Sequence, residues 1–264
     1  MKQLYVVSTG PGDPNLLAPQ AKMAINDATD LVAYGLYLEL LGDDIRNKTQ
    51  HDLPLGQEIE RARLSLNLAA SGKTTALISS GDIGIFAMAT LVFELLDRAE
   101  QGLENNPEWF DIDIQVIPGI SAMQAAASRV GATLGHDFCA ISLSDLLTPW
   151  ETIETRIHAA ASADFVISFY NPVSKKRRWQ LDKAKHIILQ HRDPNTPVVL
   201  GKNLTRADEH IRIITLEQLE VDDVDMLTLV QIGSSHTKHI KIGNHDWVYT
   251  PRGYQKKMTQ ETTT

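Results

Sequence analysis

One cysteine, Cys139, in 264 residues excludes an internal disulfide, and no grouping of Cys and His has the spacing of a zinc site. Cys139 itself reads as a small buried hydrophobe. No apolar run approaches the length of a membrane span, and Met1 runs into a strand pattern without the charged lead and apolar core of a signal peptide. We expect a cytoplasmic protein in a reducing compartment with no membrane partner. The net charge of −8 with 9 histidines gives no global basic field, so nucleic acid held by general electrostatics is not expected. The chain also lacks the G-K-[ST] of a P-loop and the G-x-G-x-x-G of a dinucleotide fold, which disfavours a diphosphate ligand. No catalytic triad, internal repeat or heptad pattern is visible.

What is present is a globular composition, 43% hydrophobic and 22% charged, enough for one large or two medium cores. Two stretches, Ser8-Thr9-Gly10-Pro11-Gly12-Asp13-Pro14 and Ser79-Ser80-Gly81-Asp82-Ile83-Gly84-Ile85-Phe86, each follow an apolar β-type run and precede a helical pattern. A chain leaving a strand through glycine and aspartate exposes bare backbone at the strand's carboxyl end, where open α/β sheets bind ligands. Either stretch taken singly is also an ordinary turn, with Asp13 and Asp82 as caps or Asx-turn residues.

Strand-like runs at 3–8, 31–34, 75–79 and 112–117 alternate with helical patterns at 17–28, 58–71 and 86–101. After Pro118-Gly119 a small-residue helical stretch, 121–130, begins a second set with strands near 138–143, 164–170, 196–200, 212–215 and 227–232. The expected organisation is an amino-terminal α/β domain over 1–116, a linker at 117–121, a carboxy-terminal α/β domain over 122–250, and a frayed polar tail over 251–264.

Gly10-Pro11-Gly12-Asp13-Pro14, Ser80-Gly81-Asp82 with Gly84-Ile85-Phe86, and Pro118-Gly119-Ile120-Ser121-Ala122 together resemble the tetrapyrrole methylases, which use S-adenosyl-L-methionine. The run from Leu134 to Trp150, Phe169-Tyr170-Asn171-Pro172 with Ser174 and Arg177, and Thr250-Pro251-Arg252-Gly253-Tyr254 are similar to the branch that methylates C17 in cobalamin synthesis. The resemblance covers roughly residues 3 to 254. Relatives usually carry proline where this chain has Ile83, which puts the rigidity of the second glycine loop in question.

The resemblance implies two α/β domains of the tetrapyrrole methylase type with the cofactor cleft between them, and a homodimer. For S-adenosyl-L-methionine it implies Gly81, Asp82, Ile83, Phe86, Ser121 and Ala122, with main-chain segments at Tyr170, at Asn203 and Leu204, and around Gln231. Phe86 also fits the helical core stripe that continues through 88–96, and Ser121 also fits a helix cap.

The implied acceptor is a tetrapyrrole precorrin with about eight carboxylates, so cations should line its trough. The candidates are Arg129, Lys175, Arg177, Lys202 and Arg206, each also readable as a solvated surface charge. Methyl transfer to a ring carbon is an in-line displacement that depends on positioning and water exclusion. The ring contraction that the resemblance implies needs proton transfer, for which Asp13, His136, Asp137 and Ser144 are the candidates. No metal site is expected, so cobalt, if present, arrives within the substrate. A methylase of the same fold acting on a protein (the diphthamide pathway) or on RNA, and a non-catalytic tetrapyrrole- or cofactor-binding module, are the alternatives.

Overall fold

The computed structural model describes residues 2–254 together with Lys257 and Met258. Apart from those two, the tail expected to fray lies outside the described residues from 255 on. The chain divides after Ala122 into two compact units.

The first unit is a parallel sheet covered on both faces. Its strands β1 (Gln3–Ser8), β2 (Asp30–Ala33), β3 (Thr49–Asp52), β4 (Thr74–Ser79) and β5 (Asp113–Ile117) lie in the order β3-β2-β4-β1-β5 with every pair parallel. Parallel strands need crossovers that bury both faces, which accounts for the continuous apolar character of β1, β2 and β4. Its helices are α1 (Pro19–Asp27), α2 (Gly35–Glu39), α3 (Glu58–Ala70) and α4 (Met88–Glu100). One core cluster joins Leu4, Val6 and Leu77 to Leu66 of α3 and to Val92 and Leu95 of α4. The other joins Val7, Ala76 and Ile78 to Ala21 and Ile25 of α1. The neighbouring strands β1 and β4 therefore lead to helices on opposite faces, which defines a switch point between their carboxyl ends.

Helix α4 starts at Met88 rather than at Phe86. Phe86 has φ +51 and Ala87 is extended, so neither can continue a helix. Pro19 stands in the first turn of α1, where its missing N–H costs nothing. Strand β3 escapes the sequence pattern because it is an edge strand of polar residues, Thr49-Gln50-His51-Asp52. It is held in part by Asp30, 2% exposed, whose carboxylate accepts from His51 Nε2 at 2.9 Å, Lys73 Nζ at 2.8 Å and Thr29 Oγ1 at 2.9 Å. Residues 117–121, expected to be a linker, belong to this unit: Ile117 ends β5 and Gly119 is packed against Ser8 and Gly81.

The second unit begins with α5 (Ala122–Val130) and continues through β6 (Gly131–Ala132), β7 (Phe138–Ser142), α6 (Trp150–Ser162), β8 (Val166–Tyr170), α7 (Trp179–Leu189), β9 (Pro197–Lys202), β10 (His210–Thr215), β11 (Thr228–Ile232), β12 (Lys238–Ile242) and β13 (His245–Tyr249). The main sheet, β10-β9-β11-β8-β7, is mixed: β7 and β8 are parallel and the other pairs antiparallel. The carboxyl ends of β7, β8 and β9 consequently share one edge. Its core is a cluster in which Ile153 and Ile157 of α6 and Leu181 and Ile188 of α7 pack with Phe169, Leu200 and Val230. A small second sheet, β12-β13-β6, has exposed strands and was not foreseen. Among the described residues no helix is long and apolar enough to cross a membrane, and no group of three or more His, Cys, Asp or Glu could hold a metal ion. Burial pushes the Cys139 thiol up to about 11, which keeps it protonated and unreactive.

Candidate active site

At the switch point of the first unit the two glycine loops are bonded to each other. Gly10 N–H donates to Gly81 O at 3.1 Å and Gly81 N–H to Gly10 O at 2.6 Å. Both residues have φ near +70, a conformation that glycine adopts at no steric cost. A Cβ on Gly81 would meet nothing within 4 Å, whereas one on Gly119 would lie 2.5 Å from Ser8 Cβ and 2.7 Å from Gly81 O. The loop thus has a packed underside, closed by Gly119, and an open side at Gly81.

Asp82 organises this end. Its Oδ1 accepts from Gly84 N–H at 2.8 Å and its Oδ2 from Gly119 N–H at 3.0 Å, so one carboxylate ties the β4 exit to the β5 exit. Ile83 is fully buried, and its N–H donates to Ser8 Oγ at 2.8 Å. Proline at this position could not make that bond, so the loop is fixed here by burial and by Ser8 rather than by a locked φ. Ser8 was not singled out from the sequence, since a serine ending an apolar strand carries no signal of its own. Phe86 is 52% exposed at a left-handed bend, and so is not the core residue that its spacing suggested. Ser121 is buried, and Ala122 opens α5.

Asp13 caps a short 3-10 turn: its Oδ1 accepts from Asn15 N–H at 2.8 Å and from Asn15 Nδ2 at 3.0 Å. Beside it lies a cavity of about 70 Å³, lined by Leu17, Ile25 and Leu41 together with Asp13 and Lys22.

In the second unit the edge shared by β7, β8 and β9 carries bends of a different kind. Asn171 (φ +49), Asn203 (φ +47) and Thr205 (φ +65) are left-handed without being glycine. Asn171 Nδ2 donates to Ser142 Oγ at 3.1 Å, and the Ser144 amide donates to the same oxygen at 3.3 Å. The Tyr170 hydroxyl accepts from Met123 N–H at 3.1 Å. Leu204 is buried beneath Gly201. The Gln231 side chain is enclosed: it bonds Thr133 Oγ1 and donates to Ser168 Oγ at 3.0 Å. It therefore holds the core, in a strand paired to β8 on one side and β9 on the other.

The five candidate cations fall into two groups. Arg177 belongs to the loop after β8 but is 8% exposed; its Nη1 donates to Leu143 O at 2.9 Å and to Asn171 O at 2.8 Å, with Asp145 at 3.9 Å. Burial pulls its ionisation below the ordinary guanidinium value, against the Asp145 carboxylate that pushes it up. Through Nη1 alone Arg177 clamps the loops after β7 and β8 together. Its neighbour Lys175 is exposed. Around the loop after β9, Arg129 Nε donates to both Glu209 oxygens at 2.8 and 2.9 Å, and Lys202 Nζ sits 2.7 Å from Asp225. Arg206 is half-buried in the same loop. The hydrogen bond and charge of Asp225 raise the Lys202 pKa.

His136 and Asp137 form a local pair. His136 Nδ1 accepts from the Asp137 amide at 2.8 Å and lies 3.2 Å from its carboxylate.

Comparison with known proteins places this geometry. Residues 3–220 match the family model of the tetrapyrrole (corrin/porphyrin) methylases. The chain is 42% identical to the cobalamin biosynthesis protein CobIJ of Mycobacterium tuberculosis over 94% of its own length but only 48% of that protein, so it spans about half the length of such relatives. It is 41% identical to the precorrin-3B C(17)-methyltransferase of a Sinorhizobium species, covering 95% of this chain and 96% of that one. The crystal structure of the methyltransferase CobJ superposes with a TM-score of 0.85 at 37% identity, covering 94% of this chain and 99% of that one. The chain belongs to the tetrapyrrole methylase family.

Proposed function

We propose that the protein transfers a methyl group from S-adenosyl-L-methionine to C17 of a precorrin-3B or cobalt-factor III macrocycle, with ring contraction, in cobalamin biosynthesis. The observation that carries this reading is the end-to-end match to a named C17-methyltransferase, which covers 96% of that enzyme. The glycine-loop geometry supports it: the space above Gly81 admits a ligand against bare backbone, and Asp82 holds the surrounding loops without using its charge outside them.

Two observations test the fit of the cofactor. A Cβ at Gly81 would stand in open space, and Asn203 Oδ1 is buried with no partner, so an acceptor is available to a ligand donor. When bound, the cofactor supplies an electrophilic methyl on a sulfonium. The first-unit contacts proposed for it are Gly81, Asp82, Ile83, Phe86, Ser121 and Ala122. In the second unit they are Tyr170, Asn203, Leu204 and the backbone of Gln231. Lys175, Arg177, Lys202, Arg206 and Arg129 are the proposed partners of the substrate carboxylates, with Lys202 and Arg129 exchanging Asp225 and Glu209 for them. Asp13, held by Asn15 beside a cavity, is the strongest proton-transfer candidate, ahead of the exposed pair His136 and Asp137, and of Ser144. The reading includes a cytoplasmic homodimer, and the protonated, unpaired Cys139 is compatible with a reducing compartment.

The test is mass spectrometry of purified protein incubated anaerobically with labelled S-adenosyl-L-methionine and, separately, precorrin-3B or cobalt-factor III. One labelled methyl in one tetrapyrrole is the expected result and identifies the acceptor. Cofactor binding with no transfer to either would overturn the reading in favour of a protein or RNA acceptor.

A further inference from the structure

Asn203 has four polar groups, and three of them have partners. Its N–H donates to Leu227 O at 3.1 Å, its carbonyl accepts from Arg206 N–H at 3.0 Å, and its Nδ2 donates to Asp208 Oδ2 at 2.5 Å. Only Oδ1 has none, although the residue is 7% exposed. Buried side-chain acceptors are rarely left unfilled, since each orphan costs about 1–3 kcal/mol. Other orphaned atoms occur on Arg61, Thr75, Trp150, Gln180 and Arg192, but none of those residues has a left-handed backbone. A left-handed backbone and an unmet acceptor coincide at Asn203.

Asp208 decides what Asn203 offers. An amide can face either way, but an ionised carboxylate only accepts, so Asp208 takes the Nδ2 hydrogens and leaves Oδ1 as the free group. The loop that carries the pair is itself pinned: the Thr205 amide donates to Glu209, which also holds Arg129. These bonds tie Thr205 and Glu209, close in sequence to the two members of the pair, to each other and to Arg129.

We propose that Asn203 Oδ1 accepts a hydrogen bond from a nitrogen donor of the bound cofactor, and that Asp208 is a positioning residue that fixes the amide in the accepting orientation. This rests on the cofactor assignment made above. The donor is an amine, and it comes from either the nucleobase or the amino-acid end of the cofactor.

Calorimetric titration of the full chain with three ligands separates these sources: S-adenosylhomocysteine, its purine-riboside analogue lacking the exocyclic amine, and its analogue lacking the α-amine. Asn203→Gly keeps the left-handed backbone at no cost and removes the amide. It is expected to weaken S-adenosylhomocysteine about tenfold to hundredfold and to leave unchanged the one analogue that lacks the relevant amine. Asp208→Asn, which frees the amide to flip, is expected to lose several-fold against the same two ligands, to spare the same analogue, and to add nothing in the double variant. Equal weakening of all three ligands by either variant would assign a purely structural role and overturn the proposal. So would full retention of affinity in Asn203→Gly, with the cofactor assignment intact. A wild-type protein that binds none of the three would remove both.

Discussion

The two units solve one problem with different residues. Each must bend the chain sharply where strands end, and each does so with left-handed backbone. Directly after its strands the first unit uses glycine, at Gly10 and Gly81, with Phe86 left-handed further along the second loop; the second unit uses Asn171, Asn203 and Thr205. Glycine leaves only backbone at the bend, so a ligand can lie directly on the main chain. Asparagine tolerates the same conformation and adds an amide, which at Asn171 braces Ser142 and at Asn203 is turned toward Asp208. The first surface is built to be bare, and the second to carry oriented polar groups.

Breaking the packed side of the glycine loops should have the largest effect. Gly119→Ala places a methyl against the Ser8 side chain and the Gly81 carbonyl, with backbone on one side that cannot rotate away. We expect a loss of about 3 kcal/mol in denaturant unfolding. Gly201→Ala is the matched change in the second unit. Its Cβ would meet the Leu204 side chain at 2.8 Å, which can shift, so about 1 kcal/mol is expected. Equal losses would show that the two ends are not built differently. Gly81→Ala follows: the site is open but φ is +70, so stability should fall by only about 1–2 kcal/mol, while S-adenosylhomocysteine affinity should drop at least tenfold. A β-branched residue there would add strain of its own, so alanine is the cleaner probe. Unchanged affinity in calorimetry would show that the open space at Gly81 is not used.

How much of this was legible in the sequence follows from the same contrast. Glycine loops announce themselves, because few other residues fit and their positions after apolar strands can be read directly. The buried strands and the amphipathic α4 were legible for the same reason: burial imposes a period. The polar edge strand β3 and strand β12 bury no residue, and β13 buries only Val248, so none of them shows a period. The clamping part of Arg177 was not legible, because a basic run looks the same whether its members face solvent or tie two loops, and only the fold shows Leu143 and Asn171 accepting from its Nη1. Asp208 gave no signal, since its part depends on which atom of Asn203 it meets.

Smaller effects sharpen the comparison at the asparagine bends. Asn171→Gly removes only the bond to Ser142, whereas Asn171→Ala also forces alanine into a left-handed backbone. The difference between the two variants should be about 1 kcal/mol in unfolding free energy. If alanine were the better tolerated, the bend would not be what asparagine is there to provide.

The smallest effect expected concerns acid. In the first unit, burial raises the Asp30 carboxyl, but the hydrogen bonds from Lys73, His51 and Thr29 outweigh it and hold the pKa below the ordinary value. In the second, burial likewise raises Asp225, and hydrogen bonds from Lys202 and Thr228 carry it down. A carboxyl depressed in the folded state contributes stability that is complete above its unfolded pKa, about 4, and is lost as pH falls through the folded value. Asp30→Asn should therefore lower stability at pH 7 and make the decline between about pH 4 and pH 2 shallower by less than about 1 kcal/mol. Asp225→Asn should flatten it less, because its partner Lys202 stands in solvent, where screening weakens the pair. A steeper decline in the Asp30 variant, measured by urea unfolding across that range, would reverse the sign argued for this buried cluster and leave strand β3 held by its backbone pairing to β2 alone.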